Sequence, residues 1–512
     1  MSAVVGTPIR KLVIVGGGAA GWMTAAAVSR LTRAGVSVTL VESDEIGIVG
    51  VGEATIPSLH DFNRFLGFDE NAFVRATQAS FKLGIEFRNW GSEGDRYFHA
   101  FGVHGRDTDG VKFHQLWLRQ SQLAGAERDV GPIGDYNLST VAARSDRFTR
   151  PSPDPATVLS SLAYAFHFDA GLYARFLRDF AERAGVARVE GRIVTVEQDP
   201  ESGLITAVGL ADGRRLDGDF FVDCSGFRSL LLGETLGVGY RSWQQWLPCD
   251  RAIAVPSAHG AALHPYTRAT AGKAGWRWRI PLQHRVGNGH VYSSAHCSDA
   301  DAERELLEGL DAAPIAAPRH LRFVAGRRER LWEKNCVAIG LSGGFIEPLE
   351  STSIHLIQSG IFRLMALFPN ADSSQVEIDQ YNHLLVREYE QIRDFIILHY
   401  HATERRDSDF WNQCRTMEVP DSLAAKIDLW RGKGRTFREQ GDLFSEDSWI
   451  AVLIGQNIVP ETFDPLARAF PVEQTRRFLQ QMRQIIGQTA ASMPTHADFI
   501  ARNCAAAETV AA

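Results

Sequence analysis

The spacing of apolar residues changes period several times along the chain. A short apolar run, Lys11 to Val15, ends at Gly16 and predicts a buried strand. The Ala-rich stretch Ala19 to Leu31 predicts a helix, and the alternation from Val36 to Val41 a second strand, which together make a βαβ unit. Gly50 to Pro57 reads as loop, a helical pattern follows through about Ser80, and Phe81 to Phe87 and Tyr97 to Val103 read as strands. Residues 126–157, rich in Pro, Asp, Ser and Arg, read as a long surface excursion. Ala170 to Ala184 is an amphipathic helix, and Val189 to Val222 holds three short strands with turns at Asp199-Pro200 and Asp212-Gly213. The stretch 250–325 is strand-rich, with one helix around Asp301 to Leu310, and Asn335 to Ile339 is a further strand. Glu350 begins a helix that runs to about Phe368. From about 372 onward the pattern is mostly helical, broken at Pro420, Pro460 and Pro471, and Ala505 to Ala512 reads as a frayed tail. The expected fold is α/β: a Rossmann-type nucleotide module with an inserted β-sheet over residues 1–370, and a mostly helical region over 371–512.

Composition narrows the function classes. The chain of 512 residues is 45% hydrophobic, and its 54 basic against 61 acidic residues leave a formal charge of −7, which points to neither nucleic acid nor an anionic membrane surface. No apolar run approaches the ~20 residues of a membrane-spanning helix. The six cysteines form no CxxC pair and have no zinc spacing with histidine, so no metal site is expected and a reducing cytoplasm suits the chain.

Chemistry enters at Val15-Gly16-Gly17-Gly18-Ala19-Ala20-Gly21. This loop follows a predicted strand and opens a predicted helix, the setting that a dinucleotide fingerprint requires. Gly16 allows the tight turn, Gly18 the approach of a pyrophosphate to the backbone, and Gly21 close packing of helix on strand, with the phosphates on the helix N-terminus. Glu42, 21 residues beyond Gly21, suits a ribose hydroxyl. Asp223-Cys224-Ser225-Gly226 and Asn335 to Ser342 resemble the further flavin-contacting stretches of FAD monooxygenases, which favours FAD over NAD. The candidate cofactor contacts are Gly16, Gly18, Ala19, Ala20, Gly21, Glu42, Ala54, Asp223, Gly340 and Leu341. Gly50-Val51-Gly52, Gly237-Val238-Gly239 and Gly287-Asn288-Gly289 all lack the third glycine, so no separate NAD(P)H module is visible.

A rarer motif, Trp276-Arg277-Trp278-Arg279-Ile280-Pro281, stands far downstream. Together with Gly52 to Pro57, Phe81-Lys82-Leu83-Gly84, Phe221 to Phe227 and Gly344 to Thr352, it resembles the flavin-dependent halogenases, the family that includes the tryptophan halogenases. The similarity spans residues 11 to 460 or so. It implies a two-component enzyme in which a separate flavin reductase supplies FADH2. Oxygen then gives a flavin hydroperoxide, and chloride or bromide is oxidised to hypohalous acid that travels to an electron-rich ring. Lys82 matches the family's essential lysine, which binds hypohalous acid or forms a haloamine. Glu350 matches its essential carboxylate, with Glu347 the rival in the same motif. Thr352 and Ser353 match the halide site, where tryptophan-using members usually carry glycine at the second position. Trp276, Trp278 and Ser351 match the tunnel between flavin and substrate. A small aromatic substrate and the reductase are the implied partners, and a homodimer an assembly compatible with them.

On the substrate side, His99 and Phe101 resemble residues that stack on indole, and Phe444 stands at the position of a ring-gripping aromatic. The family's paired tyrosines for the amino-acid backbone are missing from Gly432 to Phe444, and the glycines there suggest a flexible, open loop. Free tryptophan is therefore expected to be a poor substrate, and a bare or substituted indole or a larger indole- or phenol-bearing molecule a better one. The alternatives are a flavin-dependent aromatic hydroxylase and a catalytically silent flavin-binding protein. Among the remaining features, His399-Tyr400-His401 reads as helix packing or surface, Arg405-Arg406 as a solvated helix end, and His355 as either core or site.

Overall fold

The computed structural model describes residues 7–45, 52–123, 130–260, 262–371 and 374–507. Gly50 and Val51 of the expected loop, residues 126–129 of the expected excursion and the last five residues of the expected tail lie outside the described residues. The chain divides into two compact units, and neither is continuous: the first comprises Met1–Gln78, Phe168–Gln245 and Phe323–Glu390, the second Ala79–His167, Trp246–Arg322 and Gln391–Ala512. The linear division expected at residue 370 differs from this, because strands distant in sequence pair within each unit.

The first unit is built on a six-stranded sheet in the order Trp332–Glu333, Cys336–Ala338, Phe220–Asp223, Lys11–Val15, Ser37–Glu42, Ala187–Glu190. All its pairings are parallel except the first. Lys11–Val15 lies at its centre, with every residue after Lys11 buried, which explains its continuous apolar run. The Ala19–Val28 helix packs against the Ala170–Arg183 and Ser353–Ala366 helices, and its small side chains allow that approach. Of the strands between 187 and 223, Ile193–Gln198, Ile205–Leu210 and Arg215–Asp217 form a separate antiparallel sheet, while those at either end join the six-stranded one. Gly52–Ala54, expected as loop, is a short strand.

The second unit holds a seven-stranded sheet in the order Arg319–Arg322, Arg251–Ser257, Val286–Tyr292, Gly275–Pro281, Thr267–Ala271, Gly84–Arg88, Arg96–Ala100. Its pairings are antiparallel except that of Thr267–Ala271 with Gly84–Arg88. The expected single strand over 81–87 is two: Ser80–Lys82 pairs with Ala165–Asp169, and Gly84–Arg88 enters the seven-stranded sheet. The break falls at Leu83, whose N–H donates to the Pro265 carbonyl and whose carbonyl accepts from Phe101 N–H. The expected excursion is also corrected. Leu138–Arg144 is a helix with a mostly buried face, and Phe148 is fully buried, stacked at 4.1 Å on Phe81. The helices Asp409–Thr416, Asp421–Lys433, Glu446–Gly455, Val472–Ser492 and His496–Asn503 complete this unit, and Pro420 and Pro471 stand as N-caps where breaks were expected. His399 and Tyr400 are core residues. Arg405 is buried rather than solvated, paired with Asp407 at 2.6 Å and lying 4.7 Å over the Trp411 ring.

The two tryptophans of the rare motif sit mostly opposite small residues. Trp276 pairs with Ala271 and Val291, and Trp278 with Ala269 and Gly289. A Cβ at Gly289 would lie 2.0 Å from the Trp278 ring, so the glycine leaves the space that this indole fills. Gly289→Val should therefore destabilise the protein by about 2 kcal/mol, read as a lower urea midpoint; an unchanged midpoint would show that the ring has room to move.

Candidate active site

The nucleotide loop has the geometry its glycines imply. Gly16 has φ +113°, and a Cβ there would lie 2.2 Å from the Cys224 carbonyl oxygen. A Cβ at Gly21 would lie 1.8 Å from the Gly16 carbonyl oxygen, so helix and strand touch through backbone. Nothing lies within 4 Å of a Cβ built on Gly18, the N-cap of the Ala19–Val28 helix. No side chain caps that helix and its first turn carries no acid, which leaves its N–H groups and dipole facing the open side of the loop. This cradle fits the pyrophosphate of FAD.

Glu42 ends the neighbouring strand and lies against Gly17. Its Oε2 accepts from the Trp22 indole at 3.3 Å and its Oε1 from Arg188 at 2.5 Å, so the carboxylate is held in place at the loop's rim. Gly340, at φ +81°, approaches Ala20 so closely that a Cβ would meet it at 2.8 Å, and Leu341 beside it is partly exposed. Ala54 is buried. The Asp223 carboxylate is fully taken up internally: it accepts from Ser225 N–H and Oγ–H and from the N–H groups of Leu231 and Leu232. Its backbone carbonyl also accepts internally, from Ile339 N–H at 3.0 Å and from Ser342 Oγ–H.

The sequence Pro348 to Ser353 turns sharply before the next helix. A short 3-10 turn covers Pro348–Glu350, Ser351 adopts the left-handed φ of +61°, and the helix begins at Ser353 with Thr352 as its N-cap. The helix start expected at Glu350 therefore moves three residues on, because Ser351 breaks the helical path. Glu347, Glu350, Ser351 and Thr352 are all buried. Thr352 Oγ1 finds no hydrogen-bond partner among the described residues, no side chain caps the helix, and its first turn has no acid. A buried hydroxyl and open N–H groups at the positive end of a 14-residue helix suit a small anion, as the halide reading of Thr352 and Ser353 requires. His355, one turn along, is a network residue: Nε2 lies 2.7 Å from Glu388 and Nδ1 3.0 Å from Ser58.

The second unit carries Lys82 and the aromatic residues. Lys82 is fully buried, and its Nζ lies 5.3 Å over the Phe101 ring. Phe101 reaches it because its N–H bonds to the carbonyl of Leu83. His99, Phe395 and Phe444 form one cluster. Phe395 stacks on Phe444 at 3.8 Å, and His99 lies 5.5 Å from Phe395 and 6.2 Å from Phe444. Sequence reasoning missed Phe395, whose apolar position in the Gln375–His401 helix looks like any other core residue. Trp276 and Trp278 share one strand face with ring centroids 6.1 Å apart, and Trp276 continues into a buried cluster with Trp90. Within the Gly434–Phe444 segment Arg435 pairs with Asp464 at 2.8 Å and Asp442 accepts from Glu439 N–H, while Phe437 stays exposed. Just beyond Phe101 and Phe444 in sequence, a cavity of about 290 Å³ is lined by His104, Arg106, Lys112, His114, Glu446 and Asp447, among others.

Two buried histidines flank the Lys82 strand. His496 accepts from Phe81 N–H through Nε2 at 3.0 Å and donates from Nδ1 to the Leu263 carbonyl at 2.8 Å. Burial pushes its pKa down from 6.5 to about 4. His167 is held well below 6.5, first by burial and then by the charge of Lys82.

Two predictions follow from these geometries. Gly18→Leu would fill the open side of the nucleotide loop, so the purified variant should emerge without FAD; normal flavin affinity would contradict the cradle. The second concerns pH. Unfolded His496 takes up a proton near 6.5 and the folded side chain only near 4, so acidification across that interval should weaken the fold by on the order of 3 kcal/mol through this residue. His496→Gln should flatten the difference in urea-unfolding stability between pH 7 and pH 4.5, and an unaltered difference would show that the histidine is not held neutral.

Comparison with known proteins shows the family. The family model for tryptophan halogenase matches residues 11–472. Tryptophan 6-halogenase of Streptomyces toxytricini is 40% identical over 443 residues, covering 82% of this chain and 84% of that protein. A flavin-dependent halogenase from Xanthomonas campestris superposes with a TM-score of 0.93 at 49% identity, over 98% of this chain and 99% of that one. One from Brevundimonas sp. BAL3 superposes with a TM-score of 0.92 at 48% identity, over 96% and 99%. The nucleotide cradle, the helix behind Glu350 and the buried Lys82 are thus set in a chain that belongs to the tryptophan halogenase family of flavin-dependent halogenases.

Proposed function

We propose that this flavin-dependent halogenase acts on a bare or substituted indole, or on a larger molecule that carries an indole or phenol, in preference to free tryptophan. As a member of its family it uses reduced FAD from a separate flavin reductase, together with oxygen and chloride or bromide. Reduced FAD, when bound, would activate oxygen as the oxidant that turns halide into hypohalous acid. Gly18 opens the helix N-terminus to its pyrophosphate, Gly16 and Gly21 shape the loop that presents it, and Glu42 holds its ribose. Thr352 and Ser353 hold the halide through N–H groups of the helix start. Lys82 receives hypohalous acid and polarises it by hydrogen bonding from its ammonium, in surroundings with few waters to compete. His99, Phe101 and Phe444 hold the ring, and Phe395 backs Phe444. Glu350 accepts the proton that the ring carbon loses when the halogen has bonded. Trp276 and Trp278 keep water and substrate from the oxidising centre. The enzyme works in the cytoplasm, where a reductase can sustain the reduced flavin, and as a homodimer.

The observation that carries this reading is Lys82, fully buried with its Nζ 5.3 Å from an aromatic face. Ring hydroxylation has no step that needs a lysine at this place. The substrate preference is supported by the missing tyrosines between Gly432 and Phe444.

The enzyme supplied with FAD, a flavin reductase, NADH, oxygen and bromide or chloride should place a halogen on indole and little on tryptophan, read by isotope pattern in mass spectrometry. A halide-independent gain of one oxygen would favour hydroxylation. Glu350→Gln should lower kcat by about 100-fold or more, some 2.7 kcal/mol of barrier. A loss below about threefold, ~0.7 kcal/mol, would remove Glu350 from catalysis.

A further inference from the structure

Lys82 sits on a strand of three residues, too short to specify its own register. A slip of one residue would turn Lys82 to the opposite face and bring Phe81 to its place. Phe81 packs on that opposite face against Phe148, Phe166 and Phe499, and this cluster favours the observed register without defining where the lysine's own face is anchored.

Two groups provide that anchor. Ser80 lies on the same face as Lys82, directly opposite His167 across the pair Ser80–Lys82 and Ala165–Asp169. Ser80 Oγ donates to the Pro281 carbonyl at 2.5 Å, so its one proton is spent there. It must accept from His167 Nδ1–H at 3.2 Å, and His167 Nε2 then accepts from Thr267 Oγ1–H at 2.8 Å. The chain Thr267–His167–Ser80–Pro281 has one proton arrangement, and it ties the lysine strand to the Thr267–Ala271 strand and to the end of the Gly275–Pro281 strand. On the edge away from Ala165–Asp169, Phe81 N–H is taken by His496 Nε2, and His496 is fixed by its own bond to the Leu263 carbonyl. The Gln283 amide adds a bond to the Ala79 carbonyl at 2.7 Å.

Taking Lys82 in the role proposed above, we infer that His167 and His496 are its positioning residues, holding the Ser80–Lys82 strand from its face and from its open edge so that the ammonium meets hypohalous acid beside Phe101. Imidazole suits the task because it bonds as donor and acceptor without charge. A carboxylate would bind the ammonium and draw it from its oxidant, and a cation would repel it. Burial keeps both rings neutral, and for His167 the charge of Lys82 acts in the same direction.

The test is the fate of the oxidised halide. FAD-loaded enzyme is run with reductase, NADH, oxygen, bromide and indole in the presence of excess taurine, which traps hypobromous acid that escapes as bromotaurine. The ratio of bromoindole to bromotaurine reads positioning, and their sum reads oxidant production. In His496→Leu and His167→Phe the ratio should fall at least about tenfold, while the sum stays within about twofold. His496→Gln, whose amide can accept from Phe81 N–H and donate to the Leu263 carbonyl, should restore the ratio to within about threefold. Ser80→Ala removes one oxygen, threatens folding least, and should lower the ratio as well; should a histidine variant fail to fold, Ser80→Ala decides. Wild-type ratios in Ser80→Ala and in every folded histidine variant, with a collapsed ratio in Lys82→Ala, would overturn the inference. A wild-type ratio in Lys82→Ala itself would instead overturn the role of Lys82 on which it rests.

Discussion

The burial of one ammonium constrains the second unit. Lys82 is out of reach of bulk water, and a charge so placed is tolerated only where its surroundings compensate for lost hydration. The face of Phe101 offers a weak attraction of about 1–2 kcal/mol when desolvated. The near imidazole of His167 stays neutral, and the strand beside Lys82 is pinned through uncharged hydrogen bonds. A site of this kind spends fold stability on chemistry. It explains why a three-residue strand carries so many specific anchors.

The first unit uses one physical device twice. The Ala19–Val28 and Ser353–Ala366 helices both begin without a side-chain cap and without an acid in the first turn, although such caps occur elsewhere in the chain, as at Asp169 and Ser445. An uncapped start leaves N–H donors and the positive end of the dipole available for an anion. At the first helix the approach is opened by Gly18, and at the second by the left-handed Ser351 and the buried Thr352 hydroxyl. One suits a pyrophosphate and the other a halide.

Much of this was legible along the chain, and what was not has identifiable causes. The βαβ unit and its glycine loop are local, so period and glycine spacing were enough to place Gly16, Gly18 and Gly21 in their separate roles. The alternation of Trp276 and Trp278 put both on one face, as observed. The break at Leu83 was hidden because its two backbone bonds go to Pro265 and Phe101, residues no local pattern links to it. The helix start after Glu350 was misplaced because Ser351 adopts a backbone conformation that serine rarely takes. The buried helix at Leu138–Arg144 was masked by polar neighbours on both sides. Phe395, His167 and His496 carried no signal, since each acts through partners far away in sequence, up to 415 residues for His496 and Phe81.

The account turns on Lys82 as the group that delivers the halogen to the ring. Replacement by methionine keeps the length and apolar body of the side chain and removes only the ammonium, so the measurement that tests this most directly is product formation by FAD-loaded Lys82→Met with indole and bromide, alongside its consumption of oxygen. The account predicts that flavin binding and oxygen consumption persist while bromoindole disappears. Bromoindole formed at the wild-type rate would contradict it.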